Sequence, residues 1–219
     1  MDWDWQWTRE FSVHLFTTGL KVTAEITLFG AIAAFLLGLL LALLRRSESR
    51  WVSTGARWFI QFVRSTPLLV QLFFLFYVLP TIPLHIKLSA LTAGILGLGV
   101  HYACYTAEVY RAGIDGVPPG QFEAAIALNM PQVRTWTSVI LPQAIRRSLP
   151  ALGNVLVAIF KESPQLSIIT VLDVMGSAQE LGAERFRYLE PLTVAGLFFL
   201  ILAIPASIMI RRLERRLEY

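Results

Sequence analysis

Few residues in this chain have the type and setting to do chemistry, and two of them stand where charge is hardest to keep. Lys161 and Glu162 occur in NVLVAIFKESPQLSII, residues 154–169, within an otherwise apolar stretch. An ionisable group inside a membrane is expensive, and marks either a pathway or a structural pair. The two lie about a dozen residues from the inner end of their segment, which at 1.5 Å per residue is roughly mid-membrane. Adjacent helical residues point about 100° apart, so these charges do not pair with each other while the helix is regular. Pro164 lacks the N–H that would bond back to the carbonyl of Phe160, which predicts a broken helix with loosened backbone beside the charges. One cation, one anion, Ser163 and free carbonyls there suit a zwitterionic solute. The other reading is that the pair bonds to neighbouring spans and only fixes packing.

Three further charged positions allow two readings each. Arg64 opens RSTPLL and is either an anchor at the inner interface or part of a pathway. Glu108, with Arg111, lies near the inner end of an apolar run and fits an inner vestibule or a brace for the segment that follows. Lys21 and Glu25 are four apart and satisfy each other as a structural pair. Enzyme chemistry has little to work with. His14, His85 and His101 are scattered, Cys104 is the single cysteine, and paired acids or a Ser/His pair on facing segments are absent. A secondary transporter or channel is the remaining alternative to a subunit driven from outside, but many carriers are built from repeated halves and no repeat occurs here.

The elements that position these residues follow from composition. Of 219 residues 55% are hydrophobic and 16% charged, against about a quarter charged in a soluble domain. Ile26–Leu44, Leu88–Ala107 and Pro191–Ile210 carry no charge and are long enough to cross about 30 Å of hydrocarbon. Phe59–Leu79 contains Arg64, and Leu149–Leu172 contains Lys161 and Glu162. The expectation is an all-α membrane protein with five spans, at about 19–44, 58–79, 88–108, 148–171 and 191–211, after an extracytoplasmic segment 1–18 and before a tail 213–219. MDWDWQWTRE lacks the basic region of a cleavable signal, and its tryptophans read as an outer headgroup anchor. Ala90 and Gly94 make a small-xxx-small pair that permits close helix contact.

Charge sets the orientation. With the N-terminus outside, twelve arginines fall on inner segments (45, 46, 50, 57, 111, 134, 146, 147, 211, 212, 215 and 216), whereas Arg9, Lys87, Arg185 and Arg187 fall outside. The pI near 9.5 then reflects anchoring at the cytoplasmic face of the inner membrane, and nucleic acid is not a partner.

Between the third and fourth spans, residues 117–147 cannot be drawn as a span. VPPGQFEAAIAL turns at Pro-Pro-Gly120 and runs into helix formers. Asn129 tolerates the left-handed conformation that ends a helix, and Pro131 suits the first turn of a second one. Leu141-Pro142 is expected to close that second helix. Ala124 and Ala125 after Glu123 let another protein approach closely, or the helix rests on the membrane.

This pattern carries a resemblance. Glu123-Ala124-Ala125, three residues, Asn129, nine residues, then Val139-Ile140-Leu141-Pro142 resembles the EAA motif of ABC importer permeases, with Asn129 for Gly and Val139 for Ile. RSTPLLVQLFF (64–74), YTAEVYRAGIDGVPPGQFEAA (105–125), LPQAIRRSLPALGN (141–154) and RRLERRLE (211–218) are similar to the polar amino acid uptake family, and in general character to its ectoine and hydroxyectoine permeases. The resemblance implies the type I importer fold, with residues 19–212 as the permease domain and 117–147 as its coupling segment. It implies partners: a homologous second permease subunit in a homo- or heterodimer, two cytoplasmic ATPases and an extracytoplasmic solute-binding protein. ATP and Mg belong to the ATPases, since no G-x-x-x-x-G-K-S/T occurs in this chain. It places ATPase coupling on Gly120, Glu123, Ala124, Ala125, Asn129 and Pro142. A family K-D/E-T-S-L pattern at Lys161, Glu162 and Ser163 is broken by Pro164 and Gln165.

Overall fold

The computed structural model describes residues 3–83 and 86–217. Residues 1–2, 84–85 and 218–219 lie outside it, and with them His85 and the ends of the expected N-terminal segment and tail. Among the described residues the chain is all-helical: α1 (Trp5–His14), α2 (Leu20–Leu44), α3 (Arg50–Arg64), α4 (Leu68–Phe73), α5 (Ala90–Asp115), α6 (Pro119–Ala127), α7 (Gln132–Thr135), α8 (Leu141–Glu162), α9 (Val174–Arg185) and α10 (Leu189–Leu217). A π turn at Leu15–Gly19 joins α1 to α2 as one 40-residue helix.

Trp5–Leu44 and Leu189–Leu217 are each apolar and long enough to cross a membrane. Two bent pairs, Arg50–Arg64 with Leu68–Thr81 and Gln132–Ile169 with Val174–Arg185, reach that character only when joined. Helix α5 has 26 residues, about 39 Å at 1.5 Å each. It is less apolar because it is the most enclosed helix, so protein rather than lipid surrounds its histidine, tyrosines and glycines.

Helix α5 forms the axis of the bundle. Ile26, Ala31 and Ala34 of α2, Leu68 and Leu72 of α4, Leu98 of α5 and Ile159 of α8 share one buried core with Leu166 and Ile169. Two glycines let backbones approach. A Cβ on Gly38 would stand 1.8 Å from Thr106 Oγ1 and 2.9 Å from the Ala103 carbonyl, while Thr106 donates to the Ala34 carbonyl at 2.7 Å. A Cβ on Gly113 would stand 2.2 Å from Ser148 Oγ and 2.7 Å from the Ala144 carbonyl of α8. Gly94, of the small-xxx-small pair with Ala90, seats Leu166 of the Ser163–Ile169 turn, a close contact that a Cβ would block.

Three segments depart from expectation. The stretch 58–79 is not one rod, because α3 and the Leu68–Thr81 helix meet at 102°. Pro67 disfavours helical backbone at Thr66, and the freed acceptors are collected by one side chain. Gln71 Nε2 donates to the Val63 carbonyl (2.8 Å), Thr66 Oγ1 (2.7 Å) and the Thr66 carbonyl (3.2 Å). Residues 59–64 thus belong to the amphipathic α3, which turns Ala56, Ile60 and Val63 inward. The expected outer segment is helical from Trp5 onward. Trp7 is buried with Phe11, Leu15, Val174, Ala178, Ala195 and Phe198, under the guanidinium of Arg185 at 5.0 Å, so it is core rather than a headgroup anchor. Helix α9 fills the stretch between the fourth and fifth expected spans. Asp173 caps it, accepting from the Gly176 N–H at 2.8 Å, and the Val174 N–H reaches Thr23 Oγ1 at 3.1 Å. Lys21 and Glu25 pair at 3.9 Å as expected.

Candidate functional site

The segment after α5 folds into a knuckle whose geometry is local. Pro119 occupies the first turn of α6, where its missing N–H costs nothing. The helix ends in a Schellman arrangement: the Met130 N–H bonds to the Ala125 carbonyl at 3.0 Å, and the Asn129 N–H to that of Ile126 at 2.9 Å. Asn129 has φ 49°, the left-handed conformation its type predicts. Pro131 caps α7 in extended backbone. The second helix does not stop at Leu141-Pro142. A π turn over Trp136–Ile140 bonds the Leu141 N–H back to Trp136, and α8 continues through Pro142. The wider turn shifts the hydrogen-bond register where Pro142 has no N–H to give.

A small core roots the knuckle. Ile114, Val117, Ile140 and Ala144 are buried with Phe122, Trp136 and Val139 against them. The rings of Phe122 and Trp136 meet edge-on at 6.1 Å, and the Arg46 guanidinium lies 5.8 Å from the Trp136 ring. Gln143 Nε2 donates to Gln121 Oε1 at 3.0 Å. Arg147 donates to the Gly116 carbonyl. Gly120, Glu123, Ala124, Asn129 and Pro142 are exposed. Ala125 is not: it is buried at 3%, so it belongs to the root and cannot offer close approach to a partner. Ile126, Leu128 and Val133 are exposed at 75%, 73% and 75%, a bare apolar tip around the bend. Glu123 borders a shallow cleft of about 400 Å³ with Arg46, Asp115 and Phe122.

Behind the knuckle, Glu108 binds three arginines from three helices. Arg45 at the end of α2 donates to Oε1, Arg111 Nε donates to Oε2 at 2.8 Å, and Arg64 Nη1 at the end of α3 stands 3.7 Å from Oε1. Asp115 extends the network to Arg46 (2.6 Å) and again to Arg111 (2.8 Å). Glu108 and Arg64 brace the ends of α2, α3 and α5, and with Arg111, Arg147 and Ser148 they line an open cleft of about 660 Å³.

The mid-chain charges separate. Helix α8 ends at Glu162, and Ser163–Ile169 continues as a 3-10 turn ending in left-handed Thr170. The break at Pro164 is present, but the Phe160 carbonyl is not free, because the Ser163 N–H takes it. Glu162 accepts from Gln165 Nε2 at 3.1 Å and faces the Tyr102 hydroxyl. Lys161 is exposed on the surface of the chain and makes no ion pair among the described residues. Ser163 is fully buried and donates to Asp173 Oδ2 at 3.0 Å. It fastens α9 to α8 and does not line a path, because the 3-10 twist turns it inward.

A strip absent from the sequence reading connects these places. His101 contacts the rings of Tyr102 and Tyr105 (5.4 and 5.2 Å) and its Nδ1 lies 3.1 Å from Gln71 Oε1. Arg64 lies 5.1 Å over the ring of Tyr105. Glu162, Tyr102, Tyr105, Arg64 and Glu108 thus form a polar line down α5 toward the knuckle. The signal was in HYACYTAE: positions 101, 105 and 108 share one helical face.

An all-helical chain with membrane-length helices, a polar line down its central helix and a bent segment bared at one end is organised as a transport permease. Residues 34–219 match the family described as binding-protein-dependent transport system inner membrane component, and the chain belongs to that family of transporter subunits, which are not enzymes. It is 47% identical over 193 residues (88% of this chain, 83% of the relative) to the "Probable amino-acid ABC transporter permease protein y4tG" of Sinorhizobium fredii. It is 34% identical over 200 residues, 91% of each chain, to the arginine transport system permease protein ArtQ of Bacillus subtilis. Among solved structures, an amino acid ABC transporter crystallised with histidines superposes with a TM-score of 0.89 at 34% identity, covering 99% of this chain and 100% of that one. The MetNI methionine ABC transporter, at 18% identity and a TM-score of 0.77 over 94% and 97% of the two chains, shares the type I permease fold.

Proposed function

We propose that this chain is the membrane-spanning subunit of an ATP-driven importer of amino acids. It works with a homologous second permease subunit in a heterodimer, two cytoplasmic ATPases that hold ATP and Mg, and an extracytoplasmic binding protein. The observation that carries this reading is the knuckle, a tip of Ile126, Leu128 and Val133 beside Glu123 that is bare outside and rooted in its own core inside. A tip rooted in its own core at one end of a membrane bundle suits a groove on another protein, and the sequence carries no G-x-x-x-x-G-K-S/T loop to hold a nucleotide. Five spans accommodate the helices: α1 with α2, the Leu68–Thr81 helix beyond the bend, α5, α8 with its 3-10 extension, and α10. The N-terminus then lies outside and the C-terminus with the knuckle in the cytoplasm.

The names of the relatives and the polar line from Glu162 to Glu108 support an amino-acid-like solute. A polar amino acid and an amino-acid-derived compatible solute such as ectoine both fit, and a solute panel on the cognate binding protein separates them. In proteoliposomes with the ATPase, Glu123→Lys should abolish stimulated ATP hydrolysis with normal insertion. Lys161→Met and Glu162→Gln should each cut uptake while leaving assembly and basal hydrolysis near normal, Glu162→Gln the more because Glu162 faces Tyr102. Uptake without ATPase, driven by a proton or sodium gradient, would mean a secondary transporter and overturn the proposal.

A further inference from the structure

Helix α3 carries more than the bend behind it requires. Spaced at 100° per residue, Ala56, Ile60 and Val63 occupy the arc that packs on the protein. The apolar arc continues past them through Val52, Phe59, Phe62, Trp51 and Trp58, all exposed, with Trp51 at 91%, Trp58 at 71% and Phe62 at 68%. The remaining arc holds Arg50, Arg57 and Arg64 with Ser53, Thr54 and Gln61, and α3 contains no acidic residue. Arg64 is tied to Glu108, whereas Arg50 and Arg57 make no ion pair among the described residues. The helix meets the Leu68–Thr81 helix at 102°, so if that helix crosses the membrane α3 lies nearly in its plane. Its end of the bundle is also that of the knuckle, since Arg46, four residues before α3, stacks on Trp136.

We propose that α3 is an in-plane helix that binds anionic lipid, its exposed aromatic arc among acyl chains and its arginine arc at the headgroup phosphates. Charge complementarity selects this occupant: a polar arc whose charges are all cationic, with Arg50 and Arg57 in no ion pair among the described residues, beside an apolar arc matches an interface rich in anionic headgroups. The proposal takes from the transport reading only that this end is cytoplasmic. Its test in nanodiscs involves neither ATPase nor solute, so the two fail independently.

In a Cys104→Ala background, Trp58→Cys carries a spin label in the full chain, reconstituted in nanodiscs containing about one-third phosphatidylglycerol in phosphatidylcholine. The label should be relaxed by membrane-soluble oxygen and spared by an aqueous nickel chelate. Protection from both agents would place a second protein copy over the arc, and relaxation by nickel would place it in water; either result overturns the proposal. Selectivity is read from spin-labelled phosphatidylglycerol against phosphatidylcholine. The double variant Arg50→Gln/Arg57→Gln should lower it about five- to thirtyfold, the loss of one to both arginine contributions, and Arg50→Lys/Arg57→Lys should keep it. Unchanged selectivity in the Gln pair, or an equal loss in the Lys pair, would show that charge is not what binds.

Discussion

Replacing Asn129 with valine perturbs one backbone angle and little else, since the side chain is exposed and the residue stands at φ 49°. Left-handed backbone costs an L-residue about 1–2 kcal/mol, and a β-branched side chain is at the upper end of that range. Two hydrogen bonds depend on the bend, Met130 N–H to Ala125 and Asn129 N–H to Ile126, so strain there opens them together. A loss of that size shifts the closed-to-open ratio of the knuckle about 5- to 30-fold. Hydrogen exchange at the Met130 amide reads this ratio directly, and protection should fall by that factor in Asn129→Val. ATPase stimulation should fall with it. Asn129→Gly removes the steric cost and should match or exceed the native protection. Equal protection in the valine variant, or equal damage from glycine and valine, would refute the left-handed hinge as the source of the bend.

Other outcomes follow from the packing and the charges. Gly38→Ala should destabilise the α2–α5 contact by about 1–3 kcal/mol, read as a lower melting temperature in detergent, because its Cβ has no room beside Thr106 and Ala103. Gly120→Ala is the matched control and should change stability little, since nothing lies within 4 Å of its Cβ position. Glu108→Gln should cost about 2 kcal/mol, below the range for a fully buried pair because its side chain is 23% exposed; a cycle with Arg45→Gln should show non-additivity. For topology, a cysteine at exposed Gln179 should react with an impermeant thiol reagent from outside and one at Gln132 only from inside, in a Cys104-free background. Nearby Ser177 is buried at 3% and would report access rather than side.

What the sequence made legible was mostly local. The knuckle could be read because proline, asparagine and the EAA spacing act on backbone within a few residues of themselves. The same local logic misled at Leu141-Pro142, where a proline usually ends a helix but a π turn just before it absorbs the missing N–H. The 102° bend was masked by apolar residues on both sides of Ser65-Thr66-Pro67, although Gln71, four residues beyond Pro67, was the available sign of a side chain collecting freed carbonyls. Burial of Ser163 and Trp7 depends on α9 and α10 arriving from far along the chain, which residue type does not encode. Lys161 and Glu162 were rightly judged unable to pair, yet which of them turns toward α5 was set by the helix phase against Tyr102.

The close seats of α5 have a mechanical consequence. A single 26-residue rod runs from the Ser89 cap to the turn that launches α6, with α2 locked to it at Gly38 and α8 at Gly113. A lever about 39 Å long that pivots 5° about its far end sweeps its near end by about 3 Å, and the knuckle rides on that near end. Tyr102 and Tyr105 sit part-way along the same rod, so a rigid tilt of α5 would carry them by a fixed fraction of the knuckle's displacement.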